Sequence, residues 1–378
     1  MGRRQNVAIS FPRVFPKDAP LCYIVYMKRW FFPGLALLIL LAPGCKTQPT
    51  TPPAPEATAA VFLPVLSPSP TPAAAAEPAA PQMAEAGGSY TFGWISDTQH
   101  YSQKYPDIFH TMTSYLYRER ESLNLRYVIH TGDLVHKPKD ENQWRIARHA
   151  MDGLKDIPYG VLAGNHDVVE QKKKPSYPLF EEYFGEDNPQ PAGPAPLVFE
   201  NYRGHGDLIS AGNTDYLFVY LSWPVQADAI AWANETFAAY PDRVGVLCVH
   251  EYFSSDLVRT EQGERIFEEI VKRNDNLYLV LCGHRYNCRT VPVSVVNADG
   301  SSRTVLQGIG NYQSAGKEGG SGYLRLLTVD ETAATLRLIS YSPLLDDYGF
   351  FDDPENRSDP YYFDPMGENE VFPLPWKE

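Results

Sequence analysis

A layered α/β domain is predicted by three features of the sequence. Apolar runs of strand length alternate with segments of helical period, the alternation continues without interruption from Tyr90 onward, and polar residues recur directly after the apolar runs. The chain can build such a domain: 43% of its 378 residues are hydrophobic and 13% aromatic, enough for a sizeable core. Its formal charge of −13 says less about partners, because residues 346–378 hold ten acidic residues against two basic ones. No basic stripe with interleaved aromatics occurs, so no nucleic-acid-binding module is evident.

The front of the chain is expected to lie outside that domain. Residues 1–26 show neither helical nor strand period and are expected to be non-translated or disordered, with Met27 the true start. "MKRWFFPGLALLILLAPGCK" then carries two basic residues, an apolar run too short to span a bilayer, and small residues before Cys45. "LAPGC" resembles a bacterial lipobox, which implies that 27–45 is a lipoprotein signal and that Cys45 carries the lipid. Residues 46–88 are rich in Pro, Ala and Thr, a composition that cannot form a core and favours an extended spacer. The expected domain covers 89–345, and the acidic, aromatic extension 346–378 is expected to pack on it.

Taken in order, "YTFGWISD" reads as a strand and 107–124 as a helix with Ile108, Met112, Tyr115 and Leu116 on one face. "LRYVIHTGD" is the next strand, and 142–155 a helix with Trp144, Ala147, Met151 and Leu154 together. "IPYGVLAGNHD" and "TDYLFVYLSW" follow as strands, "DAIAWANETFAAY" as a helix, "RVGVLCVHEYF" as a strand, a helix around 266–271, and "LYLVLCGHRY" as a strand. The late runs "TVLQGIGNYQ", "GYLRLLTVD" and "TLRLISYSP" have no helices between them and read as an antiparallel meander. Cys248 and Cys282 sit in apolar runs as small buried hydrophobes, and no Cys-x-x-Cys spacing occurs.

Five strand runs end in polar residues: Asp97 and Gln99, Asp133, Asn165 and His166, His250, and His284. In a mostly parallel sheet such ends converge on one crevice. Carboxylates, an amide and imidazoles form a ligand set for hard to borderline divalent ions, Mn, Fe, Zn or Mg, rather than a thiolate site.

The ordered blocks D-x-Q, GD, GNHD, H and GH resemble those of the calcineurin-like metallophosphoesterase superfamily, which run D-x-H, GD, GNH-D/E, H and GH-x-H. The likeness is greater still to exported bacterial members with "SDTQ", "LCGH", "NYQ" and "YSP" segments. It implies a four-layer αββα sandwich and hydrolysis of a phosphoester substrate by water activated between two divalent metal ions. Asp133 would bridge the metals, Asp97 and Gln99 would bind the first, and Asn165, His250 and His284 the second. His166 would act on the phosphoryl group or the leaving oxygen, and Asp167 would orient its imidazole. Together with the front of the chain, this implies an extracytoplasmic enzyme anchored to the membrane through Cys45.

Gln99 and Tyr286 depart from the pattern by standing where the superfamily has histidines, so the first metal loses both imidazoles. Tyr286 is either a phenolate ligand or a packed side chain. His136 matches the spacing of a ligand Tyr in purple acid phosphatases, and is otherwise a plain loop residue. His100, Arg285, Tyr286 and Tyr312 are candidates for the substrate pocket, with Arg289 and Gln313 beside them. A weakened first site leaves a second reading open, a surface lipoprotein that binds a phosphorylated ligand without turnover.

Overall fold

The computed structural model describes residues 88–169, 175–193, 195–351, 353, 356 and 367–377. The expected extension, signal, Cys45 and all but the end of the spacer lie outside them.

Strand β1 (Ser89–Ile95) leads through a short helix α1 (Gln99–Lys104) into α2 (Pro106–Arg118), then β2 (Leu125–His130), α3 (Glu141–Asp152) and β3 (Tyr159–Val161). After α4 (Pro178–Phe184) come β4 (Leu197–Phe199), β5 (Gly204–Ala211), β6 (Thr214–Leu221), α5 (Ala227–Ala239) and β7 (Val244–Val249). Helix α6 (Glu261–Glu269) precedes β8 (Leu277–Cys282), β9 (Asn287–Val296), β10 (Ser302–Asn311), β11 (Leu324–Asp330), β12 (Thr335–Tyr341) and β13 (Asn369–Pro373). They form one sheet in the order β13-β12-β11-β1-β2-β3 and another in the order β4-β5-β6-β7-β8-β10-β9.

Three apolar layers hold the sheets. Tyr90, Phe92, Trp94, Tyr127, Ile129, Phe218, Val246 and Leu327 fill the space between them. Helices α2, α3 and α4 cover the first sheet through Phe109, Met112, Trp144 and Phe180, and α5 and α6 cover the second through Phe237 and Ile266. This is the four-layer αββα sandwich. Each of these side chains is buried, worth roughly 1.5–3 kcal/mol apiece.

β1, β2 and β3 run parallel in one sheet, and β6, β7, β8 and β10 run parallel in the other, so seven strand ends open at the same edge of their sheets. The expected meander is corrected in one respect. β11 and β12 are antiparallel neighbours, but β10 belongs to the second sheet, parallel to β8 and antiparallel to β9. The glycine-rich loop after β10 carries the chain from one sheet to the other. The helices expected over 107–124 and 142–155 end earlier, at Arg118 and Asp152, where turns take over. From the extension beyond residue 345, β13 pairs with β12 at the edge of the first sheet, and Phe350 and Phe351 are buried beside Tyr286 and Tyr312. Cys248, Cys282 and Cys288 are free and buried.

Candidate metal centre

The strand ends deliver their polar residues to one place because each strand stops in a tight, glycine-assisted turn. Asp97, Asp133 and His284 adopt φ of 55°, 57° and 70°. This left-handed backbone is uncommon for non-glycine residues, costs on the order of 1–3 kcal/mol each, and clusters at functional sites. The glycines of the GN and GH blocks are explained by crowding. A Cβ on Gly164 would stand 2.2 Å from Asp133 Oδ1, and one on Gly283 2.2 Å from Asp97 Oδ2. Only a residue without a side chain lets those carboxylates come so close.

Ligand-type atoms of Asp97, Asp133 and His250 all lie within 4.8 Å of one another, and the three residues are 1%, 2% and 0% exposed. His250 Nδ1 donates to the Thr131 carbonyl at 2.9 Å, which aims Nε2 at Asn165 Oδ1, 3.0 Å away, and Asp133 Oδ1, 3.3 Å away. Such a carbonyl partner is what orients a ligating imidazole. His284 brings its ring edge-on to that of His250, centroids 5.0 Å apart, while its backbone N–H donates to both oxygens of Asp97 at 3.1 Å.

The electrostatics match a cation site. Burial, reinforced by Asp133, pushes Asp97 up to about 7 despite His250 beside it. Burial alone would lower His250, yet Asp133 and Asp97 push it up to about 10. Burial and then His250 push His284 down to about 4, leaving a neutral imidazole with a lone pair to offer. Two buried carboxylates facing an imidazole they have made more basic are a donor set that a divalent cation fits, displacing the ring's proton.

Gln99 is part of the cluster, but by its nitrogen. Its amide N–H groups donate to Asp133 Oδ2 at 3.1 Å and to Gln313 Oε1 at 2.7 Å. Its own Oε1 is buried with no hydrogen-bond partner, a donor atom suited to a cation. Gln313 reaches the site from the loop after β10, so the second sheet braces the first-metal side.

Three expected roles are corrected. Asp167 does not orient His166: its carboxylate accepts the backbone N–H groups of Leu134, Val135 and Gly164 at 3.1, 3.0 and 2.8 Å, tying the Asp133 loop to the Asn165 loop. Burial and the neighbouring Asp133 push it up to about 8 against those three bonds. The His166 imidazole is held instead by the His136 carbonyl, 3.1 Å from Nδ1, and its backbone N–H donates to Asp133 Oδ1 at 2.9 Å. Tyr286 and Tyr312, expected at the substrate, are core residues, 6% and 4% exposed. The first is edge-on to Phe351, and the second is hydrogen-bonded to Ser340. The extension's phenylalanines complete that aromatic cluster, which draws both rings inward. Arg285 is exposed beside His284, and His100 is half-buried in the first turn of α1.

Two neighbours were missed. Trp223 follows the end of β6, donates its indole N–H to Glu251 at 2.7 Å, and by its backbone N–H joins Ala163 at 2.8 Å. The available signal was position: Trp223 ends a sixth apolar run, and Glu251 adjoins His250.

Residues 90–288 match the family model described as calcineurin-like phosphoesterase. Over 268 residues the chain is 41% identical to "Uncharacterized protein YvnB" of Bacillus subtilis (strain 168), taking in 70% of this chain and 20% of that protein. The chain thus spans about a fifth of the length of that relative. Among solved structures it is similar to the purple acid phosphatase PPD1 from yellow lupin (Lupinus luteus) seeds, with 13% identity and a TM-score of 0.46 over 69% of this chain and 52% of that one. It is also similar to GAP50, the anchor in the inner membrane complex of Plasmodium, with 9% identity and a TM-score of 0.44 over 69% and 87%.

Proposed function

This chain belongs to the calcineurin-like phosphoesterase family, and from that premise we propose that it hydrolyses phosphate esters with a pair of divalent cations. Asp133 would be shared between the two ions, with Asn165, His250 and His284 on one side and Asp97 and Gln99 Oε1 on the other. The observation that carries the reading is the convergence of Asp97, Asp133 and His250 from three different strands within 4.8 Å. When bound, the cations supply Lewis-acid polarisation of the phosphoryl oxygens and a more acidic water.

The protein's own groups do the rest. The His136 carbonyl takes the His166 Nδ1 proton in a hydrogen bond, so Nε2 faces the ester. In its doubly protonated form the ring gives the Nε2 proton to the departing alkoxide as the water oxygen bonds to phosphorus and the ester P–O bond breaks, and the neutral Nε2 then takes up the proton the water has lost, a contribution typically of 10² to 10⁴ in rate. Asp167 acts as a positioning residue, keeping the two ligand loops in register through three backbone bonds. The signal-like 27–45 and the spacer after it support an enzyme tethered outside the cytoplasmic membrane by a lipid on Cys45.

The test is elemental analysis of the purified full chain together with assays on p-nitrophenyl phosphate and bis-p-nitrophenyl phosphate with added Mn²⁺. Turnover with bound metal is expected, and His166→Ala should lower kcat by about 10² to 10⁴ while the metal content stays as it was. A chain that binds metal and a phosphate ester but turns over neither substrate is a binding protein instead.

A further inference from the structure

One wall of the cleft carries imidazoles that cation binding does not use. The His136 ring lies 5.0 Å from that of His166, with planes 23° apart, and the His100 ring lies 5.4 Å from His136 at 32°. The row thus starts at His166, beside Asn165, and ends at His100, beside Gln99. Its members are anchored. The His136 and Lys137 backbone N–H groups both donate to Gln143 Oε1, at 2.8 and 3.1 Å, and Gly319 backs His100 so closely that a Cβ there would stand 2.8 Å from the histidine's own.

Two lysines flank the row. Lys104 is four residues after His100 on α1, hence on the same face, and Lys137 adjoins His136. The charge on Lys104 bears on both His100 and His136, and that on Lys137 on His136. Among the described residues neither lysine is ion-paired with a carboxylate; Asp140, the acid nearest in sequence to Lys137, is engaged in capping α3 and holding Gln143, and Asp107, the acid nearest to Lys104, lies in the first turn of α2. In a chain of net charge −13 these are two cations together on one strip, with Asp133 of the metal centre the acid that also acts on His100 and His136. The opposite rim is mixed, with Glu251 and Arg285 both acting on His284.

Two other uses do not fit. The rings lie face to face or tilted in a row, and the only convergent metal-binding group among the described residues is Asp97, Asp133 and His250. A proton relay along the row fails as well, because His166 Nδ1 is bonded to the main chain of His136 and not to its ring.

We propose that this strip is a second phosphate subsite: the natural substrate carries, besides the phosphoryl group that is cleaved, a further phosphate bound by His100, His136, Lys104 and Lys137. The lysines supply charge, and each imidazole has a ring N–H to donate in either protonation state. The inference rests on the phosphoesterase reading of the metal centre, since that centre defines which phosphate is the first.

The test pairs two nucleotides that differ by one phosphate, 3′-AMP and adenosine 3′,5′-bisphosphate, on the full chain with Mn²⁺ in excess, read by turnover and by calorimetric binding. The bisphosphate is expected to bind roughly tenfold more tightly. Lys104→Ala with Lys137→Ala should bring the ratio of the two affinities close to one, and Lys104→Arg with Lys137→Arg should retain it. Equal affinities in the unmodified chain, or a ratio the alanine pair leaves intact, overturns the subsite. Turnover of both nucleotides without a bisphosphate advantage sinks the subsite and leaves the phosphoesterase reading standing. An advantage without turnover does the reverse.

Discussion

The two sides of the metal centre are built differently, although both hang from the same seven strand ends. On one side, Asp133, Asn165 and His250 point donor atoms at each other from 3.0 to 3.3 Å, with the imidazole locked by the Thr131 carbonyl. On the other, Asp97 is held by Ser96 and by the His284 backbone, and Gln99 meets Asp133 through N–H groups, leaving its oxygen without a partner. Tyr286 packs against the extension's Phe351. The contrast predicts that cation affinity here is set by how the ligands are held. The side of Asp133, Asn165 and His250 is organised in advance, while on the side of Asp97 and Gln99 the amide spends its N–H groups on Asp133 and Gln313 and has only its unpartnered oxygen to offer. If the centre holds two cations as proposed, one is expected to be held tightly and the other weakly.

The most damaging change should be the one that removes what the sides share. Asp133 faces His250, Gln99 and the His166 backbone at once, so Asp133→Asn is expected to release both ions and lower kcat by at least about 10³, the scale of losing a preorganised charge-stabilising group. Elemental analysis and kcat on an aryl phosphate check it together. Full metal content in this variant would dissolve the idea of a shared ligand and with it the division into sides.

A gentler substitution sharpens the contrast. Gln99→His replaces an amide oxygen by an imidazole, the better donor to a borderline metal. It should raise affinity for the weak ion by about 10- to 100-fold, the range over which ligand tuning acts. Isothermal titration of the demetallated chain with Mn²⁺ or Zn²⁺ should resolve two affinities that move closer together in this variant. Two equal affinities in the unmodified chain would remove the asymmetry altogether.

The tight side was legible in the sequence, and most of the weak side was not. Asp133, Asn165 and His284 each follow an apolar run with a glycine before them and His250 follows one directly, and parallel strands bring such ends together whatever the loops do. The left-handed turn at Asp133 and the close packing at Gly164 are written locally, in GD and GN. By contrast, the Gln99 amide's orientation depends on Gln313, 214 positions away, and the fate of Tyr286 on an extension beyond the strands. The role expected for Asp167 differs from the one observed because its partners are backbone groups, Gly164 in its own loop and Leu134 and Val135 in another, which carry no side-chain signature. The fold shows the same division. Strands with continuous apolar runs were visible, while β9, exposed along much of one face with a proline in it, and the three-residue β4 gave too weak a pattern.

The smallest effect concerns the tie between the sides. His130, at the end of β2, accepts the Gly132 N–H at Nδ1 (3.2 Å), so its proton sits on Nε2 and is donated to Thr98 Oγ1 at 3.0 Å. That bond fastens the Asp97–Gln99 loop to the strand carrying Asp133. The imidazole is fully buried, and burial pushes it down to about 3 from the usual 6.5. Below pH 6.5 the unfolded chain therefore takes a proton that the folded chain refuses, so folding stability falls as pH drops from 6.5 toward 3, by about 1.4 kcal/mol per unit for one proton, and is untouched by this group above 6.5. His130→Asn can keep an acceptor for the Gly132 N–H but cannot titrate, so its stability against pH should be flatter than that of the unmodified chain within this window. Urea unfolding of both proteins at pH 7, 6 and 5 measures the difference in slope. Parallel slopes would mean that His130 takes up its proton without leaving the fold, and that the weak side is not fastened through a neutral imidazole.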